Sequence, residues 1–316
     1  MSINGRTGVD TNTGGTIEAE QRIEAEQHWA TKGDVRLAVY RKRLAGARDQ
    51  PILFLVHGSS FGGEGGFDLD VPGKPGYSFM EAFARRGFDV WTMDFEGYGR
   101  SSRTASNSNL SMAADDLRAA TDVVFERTGR SSAMFYGSSS GALRAALFGE
   151  AHPDRVERVI LDAFVYTGEG APTLIKRRER LEEWRSSHIR RVDRAFFHSI
   201  FNRDLPGTSE DGIADALADY ELALGDTMPT GTYLDMCANL PVVTPEKLTC
   251  PVMIVRGEHD GIATEADLLD YFAKLGTNDR RFVVIPGMAH VSYLSKNRAI
   301  FFQAMEEFLR PPARLL

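Results

Sequence analysis

Ser132–Phe148 reads SAMFYGSSSGALRAALF, and at its centre lies Gly137-Ser138-Ser139-Ser140-Gly141. Ala133 to Tyr136 are apolar and extended in character, whereas Ala142, Leu143, Ala145, Ala146 and Leu147 form a strong helix run. The five residues between must reverse the chain within one tight bend. Gly137 and Gly141 lack side chains that would clash as strand and helix close up, which leaves Ser139 held out at the strand end above the helix N-terminus. Ser139 is the candidate nucleophile. Ser138 and Ser140 lack glycines at both minus two and plus two, and are read as lining the turn.

The flanking sequence repeats the same alternation of strand and helix. Upstream, Gln27–Thr31 and Val35–Arg41 predict a hairpin around Lys32-Gly33-Asp34, and Ile52–Val56 a buried strand that ends in His57-Gly58-Ser59-Ser60. A glycine-dense loop follows from Phe61 to Gly76, then a helix over 77–86. Gly73-Lys74 runs into Pro75, so the loop lacks a phosphate-binding GK[ST] ending. A long loop after a strand end is placed to border a ligand pocket, which makes Ser60 and Phe61 pocket candidates. Phe88–Met93 reads as the next strand, Asp94–Ser102 as a turn, and Leu110–Arg127 as a helix. Downstream, Val156–Leu161, Val252–Arg256 and Phe282–Ile285 are three more short apolar runs. Strands alternating with helices predict an α/β domain with a largely parallel sheet and right-handed crossovers.

The stretch between Val165 and Lys247 is too long and too helical to be one crossover. It is read as an amphipathic helical cap, inserted at 165–247 into a core made of 16–164 and 248–316; residues 1–15 are polar and glycine-rich and are expected to be disordered. Trp184 is the cap's candidate pocket residue, although a core position suits it as well. Lys176, Arg177, Arg178, Arg180, Arg190, Arg191 and Arg194 are assigned mainly to a solvated helix face, with recruitment of an anionic substrate as the lesser use.

The formal net charge of −7 disfavours nucleic acid or an anionic membrane as a partner, and no apolar run nears the roughly 20 residues of a membrane helix. The first residues lack the charged start and apolar middle of a secretory signal, so a cytoplasmic location is expected. Two cysteines, Cys237 and Cys250, make neither a disulfide framework nor a metal site and are read as small buried apolar residues. No metal and no cofactor is expected. The expected partner is a small-molecule substrate, with a homo-oligomer left open.

An alcohol is a poor nucleophile at neutral pH, so Ser139 needs a base within hydrogen-bond reach and a group to orient that base. In the chain order serine, acid, histidine, the acid follows a late strand and the histidine a later loop. Asp260 follows Pro251–Arg256, and His290 follows Phe282–Ile285. His290 is the only histidine downstream of Asp260. Asp162 is the second choice for the acid and Glu258 the third.

With His57-Gly58 after one strand, Gly137–Gly141 after another, Asp94–Ser102 between them and Asp260 and His290 in their loops, the chain resembles the α/β-hydrolase superfamily over about residues 27–310. The resemblance implies an eight-stranded, mostly parallel sheet flanked by helices, a helical cap over the active site, and an oxyanion hole made by the backbone N–H groups of Ser59 and Ser140. His57 then orders its loop and is not the base. Many members carry Arg where this chain has Glu96, which removes any local contact that the Arg makes. Serine at the nucleophile position argues against the haloalkane dehalogenase and epoxide hydrolase branches. The expectation is a serine hydrolase acting through an acyl-enzyme, with a carboxylic ester favoured over an amide, lactone or carbon–carbon bond. Cofactor-free haloperoxidase activity and a non-catalytic small-molecule receptor are the alternatives.

Overall fold

The computed structural model describes residues 22–312; the expected disordered segment 1–15 and the first residues of the expected core lie outside them. β1 (Ile23–Lys32) and β2 (Val35–Leu44) form an antiparallel hairpin whose two-residue turn has Gly33 at φ 58°. Both strands run three or more residues beyond the lengths predicted. β3 (Ile52–Val56) and β4 (Asp89–Met93) are buried at every position, as expected for continuous apolar runs covered on both faces.

The sheet continues with β5 (Ala133–Ser138), β6 (Val156–Asp162), β9 (Val252–Gly257) and β10 (Arg280–Ile285). Its order is β1-β2-β4-β3-β5-β6-β9-β10, and only the β1–β2 and β2–β4 pairs are antiparallel. β3, β5, β6, β9 and β10 therefore all release their C-terminal loops at one edge, where ligands bind in such sheets.

The glycine-dense loop holds a short helix, α1 (Gly63–Phe67), and is followed by α2 (Phe79–Ala84). The amides of Gly62 and Gly63 are taken by Glu221 (2.9 Å) and Asp94 (2.7 Å), so carboxylates of the chain itself occupy the donors that a phosphate would need. α3 (Leu110–Thr128) starts where the Asn109 side chain accepts from the Met112 N–H and stops at Gly129 in the left-handed region. Glu96 binds Lys32 of β1 at 3.1 Å, and Lys32 also pairs with the buried Asp116 of α3.

Between β6 and β9 lie α5 (Pro172–Arg178), α6 (Leu181–Ser186), β7 (Ile189–Arg191), α7 (Arg194–Asn202), α8 (Ile213–Leu224), β8 (Thr227–Pro229) and α9 (Gly231–Ala238). This segment is not purely helical, because β7 and β8 pair as an antiparallel ribbon. In β7 the period of two replaces a helical stripe, burying Arg190 while Ile189 and Arg191 face outward. The expectation that Arg190 sits on a solvated helix face fails for this reason. Cys237 is buried, as expected, and Cys250 is partly exposed.

Candidate active site

β5 enters the site and α4 (Ser140–Ala151) leaves it, with Ser139 between them at φ 59° and ψ −125°. Such a conformation costs a non-glycine residue about 1–3 kcal/mol and persists only where the surroundings enforce it. Here the Ser139 N–H donates to the Asp162 carbonyl of β6 (2.9 Å) and its carbonyl accepts from Ala142 (3.0 Å). A Cβ on Gly137 would collide with the Gly141 carbonyl, and one on Gly141 with the Val56 carbonyl of β3. The two glycines are therefore required by close backbone approach.

The structure brings Ser139, His290 and Asp260 together from three loops. His290 Nε2 stands 3.0 Å from Ser139 Oγ and its Nδ1 2.9 Å from Asp260 Oδ1. An ionised carboxylate only accepts, so Nδ1–H donates to Asp260 and Nε2 is free to accept from the Ser139 hydroxyl. Asp260 Oδ1 also accepts from the Ile262 N–H at 3.0 Å. Burial pushes the Asp260 carboxyl upward, but His290, then Arg203, outweigh it and hold the carboxyl below its ordinary range. His290 is lowered, first by burial and then by the Arg203 charge, against the opposing pull of Asp260.

The other acid candidates are engaged elsewhere. Asp162 accepts from Tyr136 (2.7 Å) and Ser292 (2.8 Å), and burial raises it to about 7. Glu258 binds the Gly287 N–H and lies 3.4 Å from His259. Ser140 is buried at the first position of α4. His57 is buried with both ring nitrogens used: Nδ1–H donates to the Gly58 carbonyl (2.7 Å) and Nε2 accepts from Phe95 (3.1 Å). Burial and the nearby Arg144 depress it strongly, which keeps it neutral.

The loop leaving β3 is gripped by two guanidiniums. Arg144 of α4 donates to the carbonyls of His57 (3.1 Å) and Gly58 (3.3 Å), and Arg190 of β7 donates to that of Ser59 (2.8 Å). With three successive carbonyls tied back, the Ser59 amide donates to no described residue, and neither does that of Ser140. Gly58 packs against Ser139, since a Cβ there would lie 3.2 Å from the Ser139 Cβ.

Two cavities adjoin this arrangement. A cleft of about 20 Å³, with room for roughly one water, is lined by Ser59, Ser60, Phe61, Ser139, Ile200 and His290. A second, of about 700 Å³, lies within the inserted segment and shares Ile200 with the first. Ser60 and Phe61 thus reach the cleft, whereas Trp184 lines the larger chamber and not the cleft. The sequence reading missed Arg203, Asp204, Tyr233 and Ile200, which come near the site only because the insertion folds back; a cation among apolar periodic positions, as at Arg203 after Phe201, was the available signal. Asp204, Asp260 and His290 present ligand atoms within 4.8 Å of one another. Asp260 and His290 are already bonded to each other and Asp204 lies 3.4 Å from Arg203, so a cation there would have to displace both contacts.

A family model described as "Serine aminopeptidase, S33" matches residues 77–294. No curated protein sequence matches the chain. Among solved structures, the chain is similar to 2-hydroxy-6-oxo-6-phenylhexa-2,4-dienoate hydrolase from Rhodococcus sp. strain RHA1, at 18% identity and a TM-score of 0.66 over 92% of this chain and 100% of that one. It is similar to a carboxylesterase from Bacillus subtilis at 16% identity and a TM-score of 0.64, over 95% and 96%. An enol-lactonase from Burkholderia xenovorans LB400 matches at 16% identity and a TM-score of 0.61, over 89% and 99%. At these identities the likeness is one of fold, and the fold is that of the α/β-hydrolases.

Proposed function

We propose, because this chain belongs to the serine aminopeptidase S33 family of α/β-hydrolases, that it is a serine hydrolase whose nucleophile is Ser139 and whose preferred substrate is a carboxylic ester. The observation that carries this reading is the continuous path Ser139 Oγ to His290 Nε2 (3.0 Å) and His290 Nδ1 to Asp260 (2.9 Å). The lowered pKa of His290 favours the neutral form that a general base requires.

His290 takes the Ser139 proton as Oγ attacks the acyl carbon, and the carbonyl electron pair moves onto oxygen. The Ser59 and Ser140 amides donate to that oxyanion; their freedom from other partners supports the role. Asp260 stabilises the imidazolium. The C–O bond to the alcohol then breaks, His290 returns the proton to the leaving oxygen, and the acyl group stays on Ser139. Water, deprotonated by His290, attacks the acyl carbon, the bond from that carbon to Ser139 Oγ breaks, and His290 returns the proton to Oγ as the acid is released. The inserted segment acts as a cap over the cleft.

The test is labelling by a fluorophosphonate probe together with hydrolysis of nitrophenyl esters, run beside an amide and a lactone. Ser139→Ala is expected to abolish labelling and to lower turnover by a factor on the order of 10⁶. Esterase activity within tenfold of wild type in that variant would refute the reading, and an unlabelled but folded wild type would favour a non-catalytic receptor.

A further inference from the structure

The chamber of about 700 Å³ in the inserted segment is strongly cationic in a chain whose formal net charge is −7. Six Lys or Arg side chains line it against two carboxylates, Glu183 and Asp204. Three of the cations matter most. Among the described residues, Arg177 and Arg190 have no carboxylate within ion-pair distance, and Arg203 has only Asp204, at 3.4 Å. Arg177 Nη1, Arg190 Nε and Arg203 Nη2 are buried atoms without a hydrogen-bond partner. Arg180 and Arg191, by contrast, are paired with Glu183 and Asp226 on the exposed side.

Arg190 is buried and Arg177 and Arg203 are half-buried, and shielding a guanidinium nitrogen from water without a hydrogen-bond partner is costly. The fold offsets part of that through aromatic faces: Arg177 and Arg190 each lie 4.2 Å from the Tyr233 ring centroid, and Arg190 is 4.6 Å from that of Phe196. Cation–π contacts engage the face of the guanidinium and do not use its N–H donors. The three unpartnered nitrogens, one on each guanidinium, therefore remain available to an oxyanion, to which a charged N–H donor bonds strongly.

The chamber adjoins the Ser139 cleft. Ile200 lines both it and the Ser139 cleft, Arg190 holds the Ser59 carbonyl at 2.8 Å, and Arg203 forms part of the electrostatic environment of His290. Its wall also includes Trp184, Phe196 and Ile200, which suit a carbon spacer. The Tyr233 phenol, despite the upward push of burial, is drawn down to about 7 by Arg177 and Arg190.

We propose that this chamber is the specificity pocket of the hydrolase, and that Arg177, Arg190 and Arg203 there bind an oxyanionic group, a carboxylate in the simplest case, carried by the acyl part of the substrate beyond a short carbon spacer. The assignment deepens the serine hydrolase reading and rests on it for the orientation of the substrate. A neutral ester of the same length forgoes these donors.

The test compares nitrophenyl hemiadipate with its neutral methyl ester in the wild type and in Arg177→Gln, each protein serving as its own reference through the ratio of the two kcat/KM values. The wild type is expected to favour the anionic ester at least tenfold, and Arg177→Gln to lower that ratio about tenfold or more. In parallel, folded Ser139→Ala protein is titrated calorimetrically with adipate and with inorganic phosphate, and the titration is repeated with Arg177→Gln added. Adipate binding that Arg177→Gln weakens supports the carboxylate, and phosphate binding alone supports the oxyanion site with phosphate as its source. A ratio near one, a ratio that Arg177→Gln leaves unchanged, or no binding of either anion overturns the proposal. If no ester turns over and the fluorophosphonate does not react, the hydrolase reading fails while the titration still decides the pocket.

Discussion

Arg190 Nη2 donates to the Ser59 carbonyl at 2.8 Å, so a strand of the inserted segment holds the loop whose Ser59 lines the Ser139 cleft. The insertion is thereby coupled to the site by a buried charged donor. A hydrogen bond to a charged group contributes about 1.5–3 kcal/mol, which corresponds to roughly 10–100-fold in rate if all of it is needed to position the amide.

Arg190→Gln is therefore expected to lower kcat on a neutral ester by about 10–100-fold. Steady-state kinetics, with circular dichroism to establish folding, checks this. A kcat unchanged within twofold would show that Arg144 and the backbone hold the loop without help.

Strain at Ser139 makes a stability prediction that runs against function. Ser139→Gly and Ser139→Ala both lose the hydroxyl and its bond to His290, but only glycine adopts φ 59° freely. Relief of about 1–3 kcal/mol, less the roughly 0.5–1 kcal/mol that glycine's unfolded-state entropy removes, leaves Ser139→Gly more stable than Ser139→Ala by about 1 kcal/mol. Denaturant melts of the two inactive proteins measure the difference; equal midpoints would mean that the bend is not strained.

The base must be neutral to accept a proton, so kcat/KM falls as pH drops through the pKa of His290. Burial and Arg203 lower that pKa, and the acid limb is expected below pH 6.5. Arg203→Gln removes one of the two causes and should move the limb upward. A wild-type limb above 6.5, or no upward movement in the variant, contradicts this account.

Glu221 is buried, binds the Gly62 amide, and is raised to about 8, first by burial and then by the Asp94 charge. Its folded pKa exceeds the unfolded value of about 4.3, so its stabilising contribution is complete below pH 4.3 and is lost as pH rises through about 8. Glu221→Gln keeps an acceptor for Gly62 without titrating. The Tm of the variant relative to wild type should rise steadily between pH 5 and 9, and a pH-independent difference would remove Glu221 from the account.

Much of the sheet was legible because its strands are short apolar runs bounded by glycine and proline, and buried parallel strands need no more than that. The catalytic candidates were legible for a similar reason: each sits within a few residues of a strand's C-terminal end, so local pattern locates it. The short helix at Gly63–Phe67 was not, since five residues with three glycines carry no helical signal. Its stability comes from the close packing of Gly63 on Met93 and from carboxylates 31 and 159 residues away. The ribbon strands β7 and β8, with three residues each, exist only as a pair.

What the residues alone determined is the α/β alternation and the glycine-flanked bend at Ser139, which follow from local sterics and period, and a histidine in the loop after the last strand. Only the tertiary structure decided which carboxylate meets His290, which cations turn inward, and that Ile200 stands between the cleft and the cationic chamber. Those outcomes depend on segments distant in the chain meeting in space, and on whether Arg190 lies on a strand or a helix. Burial of a charged side chain follows from the packing around it, which no short window of sequence contains.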